Sequence, residues 1–389
     1  MPVYFDHNAT TWLDAAVLDA MQSSLAGRYG NPSSLHRFGR VARDAIDRAR
    51  EQVAALVNAH PGQVVFTSGG TEANNTAVKG LAARSRPGRI LLSAIEHPSV
   101  LELEEPLKAG GWQVDFVPVT REGIVDLAAL QCMLDEGGVR LVSVMAVNNE
   151  TGVLQPYEAI AGQVRAAGAI YHCDAVQAAG KLSFSYPESG AHILSLSSHK
   201  IYGPKGVGAL ILDKALDIEP LLHGGGHERG LRAGTENMPA IVGFGAAAEL
   251  AQQQLESRTQ HCAGLRDQLE AGLSALPDIR IFGQEQPRLP NTSQFSVPGY
   301  DGEALLMALD REGIAVSSGS ACSSGKGEPS HVLLAMGIDE QVARGAIRVS
   351  LGKDNTGAEV EQFLSILARL TGAQTQQSSG DRFASVMGQ

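Results

Sequence analysis

Short apolar runs alternate with helical patterns through the first half of this chain, and that alternation restricts the fold most. Val64-Val65-Phe66 precedes a helix from about Thr71, and Ile90-Leu91-Leu92 precedes one from about Pro98. Leu141 to Met145 precedes a helix near Pro156, and Ala169 to His172 closes the series. A strand apolar on both sides must be covered on both faces, and strands linked through helices run parallel. The pattern predicts an α/β fold around a mostly parallel sheet. Before the first strand, Ala42, Ile46, Ala49, Val53 and Leu56 fall at spacings of four and three, one face of a long amphipathic helix.

The pattern then changes. Ile193–Leu196 and Val207–Leu212 read as strands with no helix between them, and a Gly-rich stretch, Gly224 to Gly234, follows. A long helical region with a bend runs from about Pro239 to Leu276. Strand-like runs near Ile279–Phe282, Gln294–Val297 and Ile314–Ser317 come next, and Thr356-Gly357-Ala358-Glu359 reads as a capping box opening the last helix. The expected organisation is a large α/β domain over 13–258 and a small α+β domain built from 1–12 and 259–370. A Gln/Ser/Gly-rich tail, 371–389, is expected to be frayed.

Composition removes several classes. The formal charge of −11 lacks the basic footprint of a nucleic-acid binder or an anionic-membrane binder. With 43% hydrophobic and 19% charged residues over 389 positions, the chain is an ordinary globular one. No stretch reads as a membrane span or secretory signal. The four cysteines, Cys132, Cys173, Cys262 and Cys322, are scattered and contain no Cys-x-x-Cys, which argues against a disulfide framework or structural zinc. The expected location is the cytoplasm.

Open α/β sheets bind ligands at the carboxyl ends of their strands, and four polar clusters sit at such ends. Ser68-Gly69-Gly70-Thr71 opens a helix and offers backbone N–H groups and a hydroxyl to a phosphate; a plain Gly turn with a capping Thr has the same sequence. Glu96-His97 supplies a base or a satisfied polar residue. Asp174, at the end of an apolar strand, calls for a partner such as a cationic ring nitrogen, or caps a helix. Ser197-Ser198-His199-Lys200 places an amine beside hydroxyls and an imidazole. That set suits pyridoxal phosphate, which needs a Schiff-base lysine and an acid on its ring nitrogen. Lys205 is the competing lysine.

Taken in order, these clusters resemble the cysteine desulfurases among the fold-type I pyridoxal-phosphate enzymes. The closest likeness is to the branch linked with nitrogen fixation and iron–sulfur cluster assembly. Ala9-Thr10-Thr11, Gly30-Asn31-Pro32-Ser33-Ser34, Glu96-His97-Pro98, Asn148-Asn149-Glu150-Thr151-Gly152, Asp174-Ala175-Val176-Gln177, Arg232 to Asn237, Ser317 to Cys322 and Ile347 to Leu351 carry the likeness as well. His7 stands where Asn or Tyr is more familiar. The resemblance implies a pyridoxal 5′-phosphate transferase acting on L-cysteine, with Lys200 as the Schiff-base lysine and Asp174 on the pyridine nitrogen. His97 would stack on the ring and move protons, and Gln177 would bond the ring's phenolic oxygen. Gly70, Thr71, Ser197, Ser198 and His199 would hold the phosphate, and Thr235 would reach the phosphate of the partner's site in a homodimer. Asn149 and Arg348 would hold the substrate carboxylate, a task suited to the arginine fork.

Ser317 to Gly327 is almost entirely Ser, Gly and Ala, a composition that cannot pack a core and reads as an exposed loop. The resemblance makes Cys322, on that loop, the nucleophile that takes sulfur as a persulfide and passes it to a scaffold or other acceptor protein. No metal ligand is implied with certainty, although Cys322 would be the residue to hold a nascent iron–sulfur cluster transiently. Two other readings share the scaffold: a selenocysteine lyase, against which Cys322 argues, and a non-catalytic sulfur-carrier subunit, against which Lys200, Asp174 and His97 argue. A nicotinamide dehydrogenase ranks last, because no Gly-x-Gly-x-x-Gly follows the first strand.

Overall fold

The computed structural model describes residues 2–318 and 328–384. Its centre is a seven-stranded sheet. From edge to edge the strands are Val64–Thr67, Gly208–Leu212, Ile193–Ser197, Ile170–Asp174, Val139–Ser143, Arg89–Ser93 and Gln113–Val117. Every pairing is parallel except the two made by Gly208–Leu212, which runs antiparallel to both neighbours. An antiparallel neighbour needs no crossover helix. That explains why two apolar runs follow each other directly in the sequence, and the short connection between them is free to carry Lys200.

The apolar runs are buried on both faces, as their composition requires: Ile193–Ser197 and Gly208–Leu212 have no exposed residue. Gln113–Val117 has no counterpart among the sequence-predicted strands. It is an edge strand whose Gln113 and Phe116 are exposed, so it lacks the double-sided apolar run.

Helices cover the sheet. Arg37–Leu56 is capped by His36, whose Nδ1 accepts from Gly39 N, and it buries Ala42, Ile46, Ala49 and Val53 as the spacing predicts. It packs on Met238–Gln253, where the contact is too close for side chains on both helices. A Cβ at Gly245 would lie 2.7 Å from Ala49 Cα. The expected bend in the long helical region falls at Gln254, between Met238–Gln253 and Leu255–Ser274.

Beyond that helix, Ser317–Ser318, Ala346–Ser350, Thr292–Ser296 and Arg280–Ile281 form an antiparallel sheet. The N-terminal Val3–Tyr4 pairs in parallel with Ile314–Ala315, so the first residues return to the far end of the chain. Phe5, Leu269, Phe295, Val349 and Phe363 form the core of this region. The last helix opens with the expected capping box: Glu359 N donates to Thr356 Oγ1, and Thr356 N donates to Glu359 Oε2 at 2.7 Å. It runs Gly357–Ala384, so its backbone stays helical through the first part of the stretch whose composition reads as frayed; no proline interrupts it there. Among the described residues no helix is long and apolar enough to cross a membrane.

Candidate active site

A cleft of about 930 Å³ opens at the carboxyl ends of the central strands. Gly70, Thr71, His97, Asn149, Asp174, Gln177, Ser197, His199, Lys200 and Arg348 all line it. The parallel strands bring these together from segments far apart in sequence. Asp174 ends Ile170–Asp174, Ser197 ends Ile193–Ser197, and Lys200 closes the short 3₁₀ turn that follows. Gly70 and Thr71 begin the helix Gly70–Arg84, so that helix presents its unsatisfied N–H groups to the cleft.

On one wall Asp174 Oδ1 accepts from Val176 N at 2.9 Å and Oδ2 accepts from Asn74 Nδ2 at 2.7 Å. Asn74 Nδ2 also donates to Ser99 Oγ at 2.9 Å, and Ser99 Oγ lies 2.8 Å from His97 Nδ1. Ser99 N donates to the same Nδ1 at 3.1 Å, so in the neutral ring the proton sits on Nε2. Burial pulls the His97 imidazole below its ordinary value, with Lys200 and His331 adding to the effect and Asp174 opposing it. That direction favours the neutral ring.

Across the cleft, Lys200 Nζ donates to Asn8 O at 2.6 Å and Ala9 O at 2.7 Å. Gln177 Nε2 donates to Asn8 O at 2.9 Å. Arg348 is nearly fully buried: Nη1 donates to Asn149 O at 3.1 Å and Nη2 pairs with Asp6 Oδ1 at 2.6 Å. Its Nε is buried with no partner. The hydroxyls of Ser197 and Ser198 are also buried without partners. His199, pulled down to about 4 by burial and then by Lys200, places Nδ1 3.1 Å from Thr10 Oγ1.

Two sequence-predicted residues stand apart. Ser198 lies beneath Gly203 rather than on the cleft wall: a Cβ at Gly203 would meet its Oγ. Thr235 is exposed and does not line the cleft of its own chain. Cys322 lies outside the described residues.

Asn8, Asn74, Ser99 and Asp6 were not singled out from sequence. Asn8 is 1% exposed, and all four of its polar atoms are engaged. The only signal for it is its place beside Ala9-Thr10-Thr11. Asn74 sits on the inner face of the helix that the Gly69-Gly70 cluster opens, one turn in.

A lysine, an acid and an imidazole thus converge at the strand ends of an α/β scaffold. Comparison with known proteins narrows the class. Residues 3–363 match Aminotransferase class-V. The chain is 45% identical over 367 residues to cysteine desulfurase 2 of Trichormus variabilis, covering 94% of this chain and 92% of that protein. A solved NifS-like protein is 41% identical with a TM-score of 0.90, covering 96% of this chain and all of that one. A solved structure of SspA in complex with cysteine is 32% identical with a TM-score of 0.79, covering 91% of this chain and all of that one. The chain belongs to the class-V aminotransferase family, and within it to the cysteine desulfurases.

Proposed function

We propose that this chain takes the sulfur atom from L-cysteine, releases L-alanine and holds the sulfur as a persulfide on Cys322. One observation carries the proposal: Lys200, Asp174, His97 and Arg348 line a single cleft in a chain whose relatives are cysteine desulfurases. Pyridoxal 5′-phosphate fits that cleft. The unpartnered Ser197 hydroxyl, the first N–H groups of Gly70–Arg84 and His199 suit its phosphate, with the unpartnered hydroxyl of Ser198 behind them. Asp174, fixed by Asn74 and Val176, suits a protonated ring nitrogen. When bound, the cofactor supplies an aldehyde that condenses with amines and a ring that accepts electrons, so the Cβ–S bond breaks with its pair left on carbon.

The protein's own groups set the rest. Arg348 offers its buried Nε–H to the substrate carboxylate while Asp6 and Asn149 hold its other two nitrogens. His97 moves protons at Nε2 while Ser99 keeps Nδ1 occupied. Lys200 exchanges its carbonyl partners, Asn8 and Ala9, for the cofactor. Gln177 keeps one N–H on Asn8 and has a second for the cofactor's phenolic oxygen. The Cys322 thiolate takes the departing sulfur, leaving alanine and a persulfide.

A homodimer follows from the same reading. Tyr29, Leu35 and Phe38 are 76%, 90% and 53% exposed, too apolar a group to stay in water. Thr235, exposed on its own chain, would serve the partner's phosphate. The persulfide then passes, in the cytoplasm, to an acceptor for iron–sulfur cluster assembly or another sulfur pathway.

The test is an assay of alanine and sulfide from L-cysteine with a thiol reductant, using wild type, Lys200→Ala and Cys322→Ala. Wild type reconstituted with cofactor should be yellow and active. Lys200→Ala should lose both properties, and Cys322→Ala should keep the colour and lose sulfide release. Full activity in Cys322→Ala would overturn the assignment of the nucleophile, and a colourless reconstituted wild type would overturn the cofactor.

A further inference from the structure

Lys181 is a second lysine at this site. Its Nζ donates to Gln177 Oε1 at 2.6 Å and to Asn8 Oδ1 at 2.9 Å, both neutral amide oxygens. Asn8 is also the residue whose carbonyl receives Lys200 Nζ and Gln177 Nε2. Two lysine nitrogens therefore share one asparagine, one on its side chain and one on its backbone. Lys181 lines a second cleft with His7, Arg258 and Cys262, and Lys200 lines both clefts. A surface lysine would keep its head in water; this one is turned inward onto the groups behind Lys200.

Resting on the cofactor reading above, we infer that Lys181 is a positioning residue that locks the amide of Gln177 and sets the pH at which the Lys200-bound cofactor loses its proton. The first part follows from hydrogen-bond direction. An amide has one accepting end and one donating end. With Oε1 taken by Lys181, Gln177 must present its N–H end to Asn8 O and to the cofactor's oxygen. Without Lys181 the amide gains the freedom to invert and present an oxygen to an oxygen.

The second part follows from charge. The groups facing Lys181 are His7 and Asn8 from the N-terminal arm, Gln177, His199, Lys200, Arg348, and Arg258 and Cys262 from Leu255–Ser274. Burial pulls Lys181 well below the ordinary lysine value, and Lys200 and then Arg348 lower it further. Lys181 therefore acts through Gln177: the N–H end that it fixes would stabilise negative charge on the cofactor's oxygen, which favours the neutral form of the nitrogen on Lys200. A lowered value there is what an enzyme working near neutral pH needs from that nitrogen.

The experiment reconstitutes full-length wild type, Lys181→Met, Lys181→Gln and Lys181→Arg with pyridoxal phosphate and titrates the visible absorbance band against pH. In Lys181→Met the midpoint should rise by about one pH unit, because the freed Gln177 amide no longer keeps its N–H end on the cofactor's oxygen, and in Lys181→Gln it should rise by less. Lys181→Arg should return it to within about 0.3 unit of wild type. Cofactor retention should fall by roughly tenfold in Lys181→Met and less in Lys181→Gln, which keeps a donor for Asn8 or Gln177. A purely structural lysine would change thermal stability and leave the midpoint in place. An unmoved midpoint in either neutral variant, with the band present, overturns this inference alone. A wild type with no Lys200-dependent band overturns the cofactor reading and this inference together.

Discussion

Asn74 holds Asp174: its Nδ2 donates to Asp174 Oδ2 at 2.7 Å and to Ser99 Oγ at 2.9 Å, and Ser99 Oγ lies 2.8 Å from His97 Nδ1. One buried amide thus ties Asp174 to His97 through Ser99. Asn74→Ala should lower kcat/KM for L-cysteine by about 10- to 100-fold, the cost of losing a hydrogen bond to a charged group. Steady-state assays at saturating cofactor measure it; a change confined to KM would place Asn74 in substrate binding instead.

Glu96 sits in the core with Oε1 accepting from Met145 N at 2.7 Å and Oε2 unpartnered. Burial, and then the nearby Asp174, raise its carboxyl well above the ordinary 4.5. A raised carboxyl contributes stability that is complete below the unfolded value and is lost as pH rises through the folded one. Glu96→Gln keeps the acceptor for Met145 N and removes the titration. Its melting temperature relative to wild type should therefore climb between pH 5 and pH 8. Parallel profiles for the two proteins would mean that Glu96 is charged in the fold.

The Gly-rich segment after the central sheet is anchored by Arg50. Its Nη1 and Nη2 donate to Glu228 Oε2 and Oε1 at 2.7 and 2.6 Å, and Phe66 N donates to Glu228 Oε2 at 2.7 Å. Glu228 is buried and Arg50 largely so, and Glu228 sits at a left-handed φ of 45°. Arg50→Met leaves a buried carboxylate without its partner and should cost about 3–5 kcal/mol in urea unfolding, whereas Arg50→Met with Glu228→Gln should recover much of the loss. A cost under about 1 kcal/mol would show that the pair is solvated like a surface ion pair.

The sequence determined by itself everything that depends on neighbours along the chain. Apolar runs specified the buried strands, and the capping box specified the start of the last helix, whereas the bend expected in the long helical region was placed at Gln254 by the structure. The Gly69-Gly70-Thr71, Asp174 and Ser197-to-Lys200 clusters were legible because each sits at a strand's end, where local order already implies exposure to a ligand. The edge strand Gln113–Val117 was not legible, since solvent on one side leaves it without a continuous apolar run.

Only the tertiary structure decided which isolated polar residues support the site. Asn8, Asp6 and Asn74 are single polar residues without a motif of their own. Each acquires its role by approaching a group that is remote in sequence: Asn8 meets Lys200, Asp6 meets Arg348, and Asn74 meets Asp174. A hydrogen bond between such residues depends on how elements pack, because a lone polar side chain carries no record of the partner that folding will bring to it. The pairing of Val3–Tyr4 with Ile314–Ala315 made the first two of those meetings possible, by carrying the first residues of the chain back to the cleft.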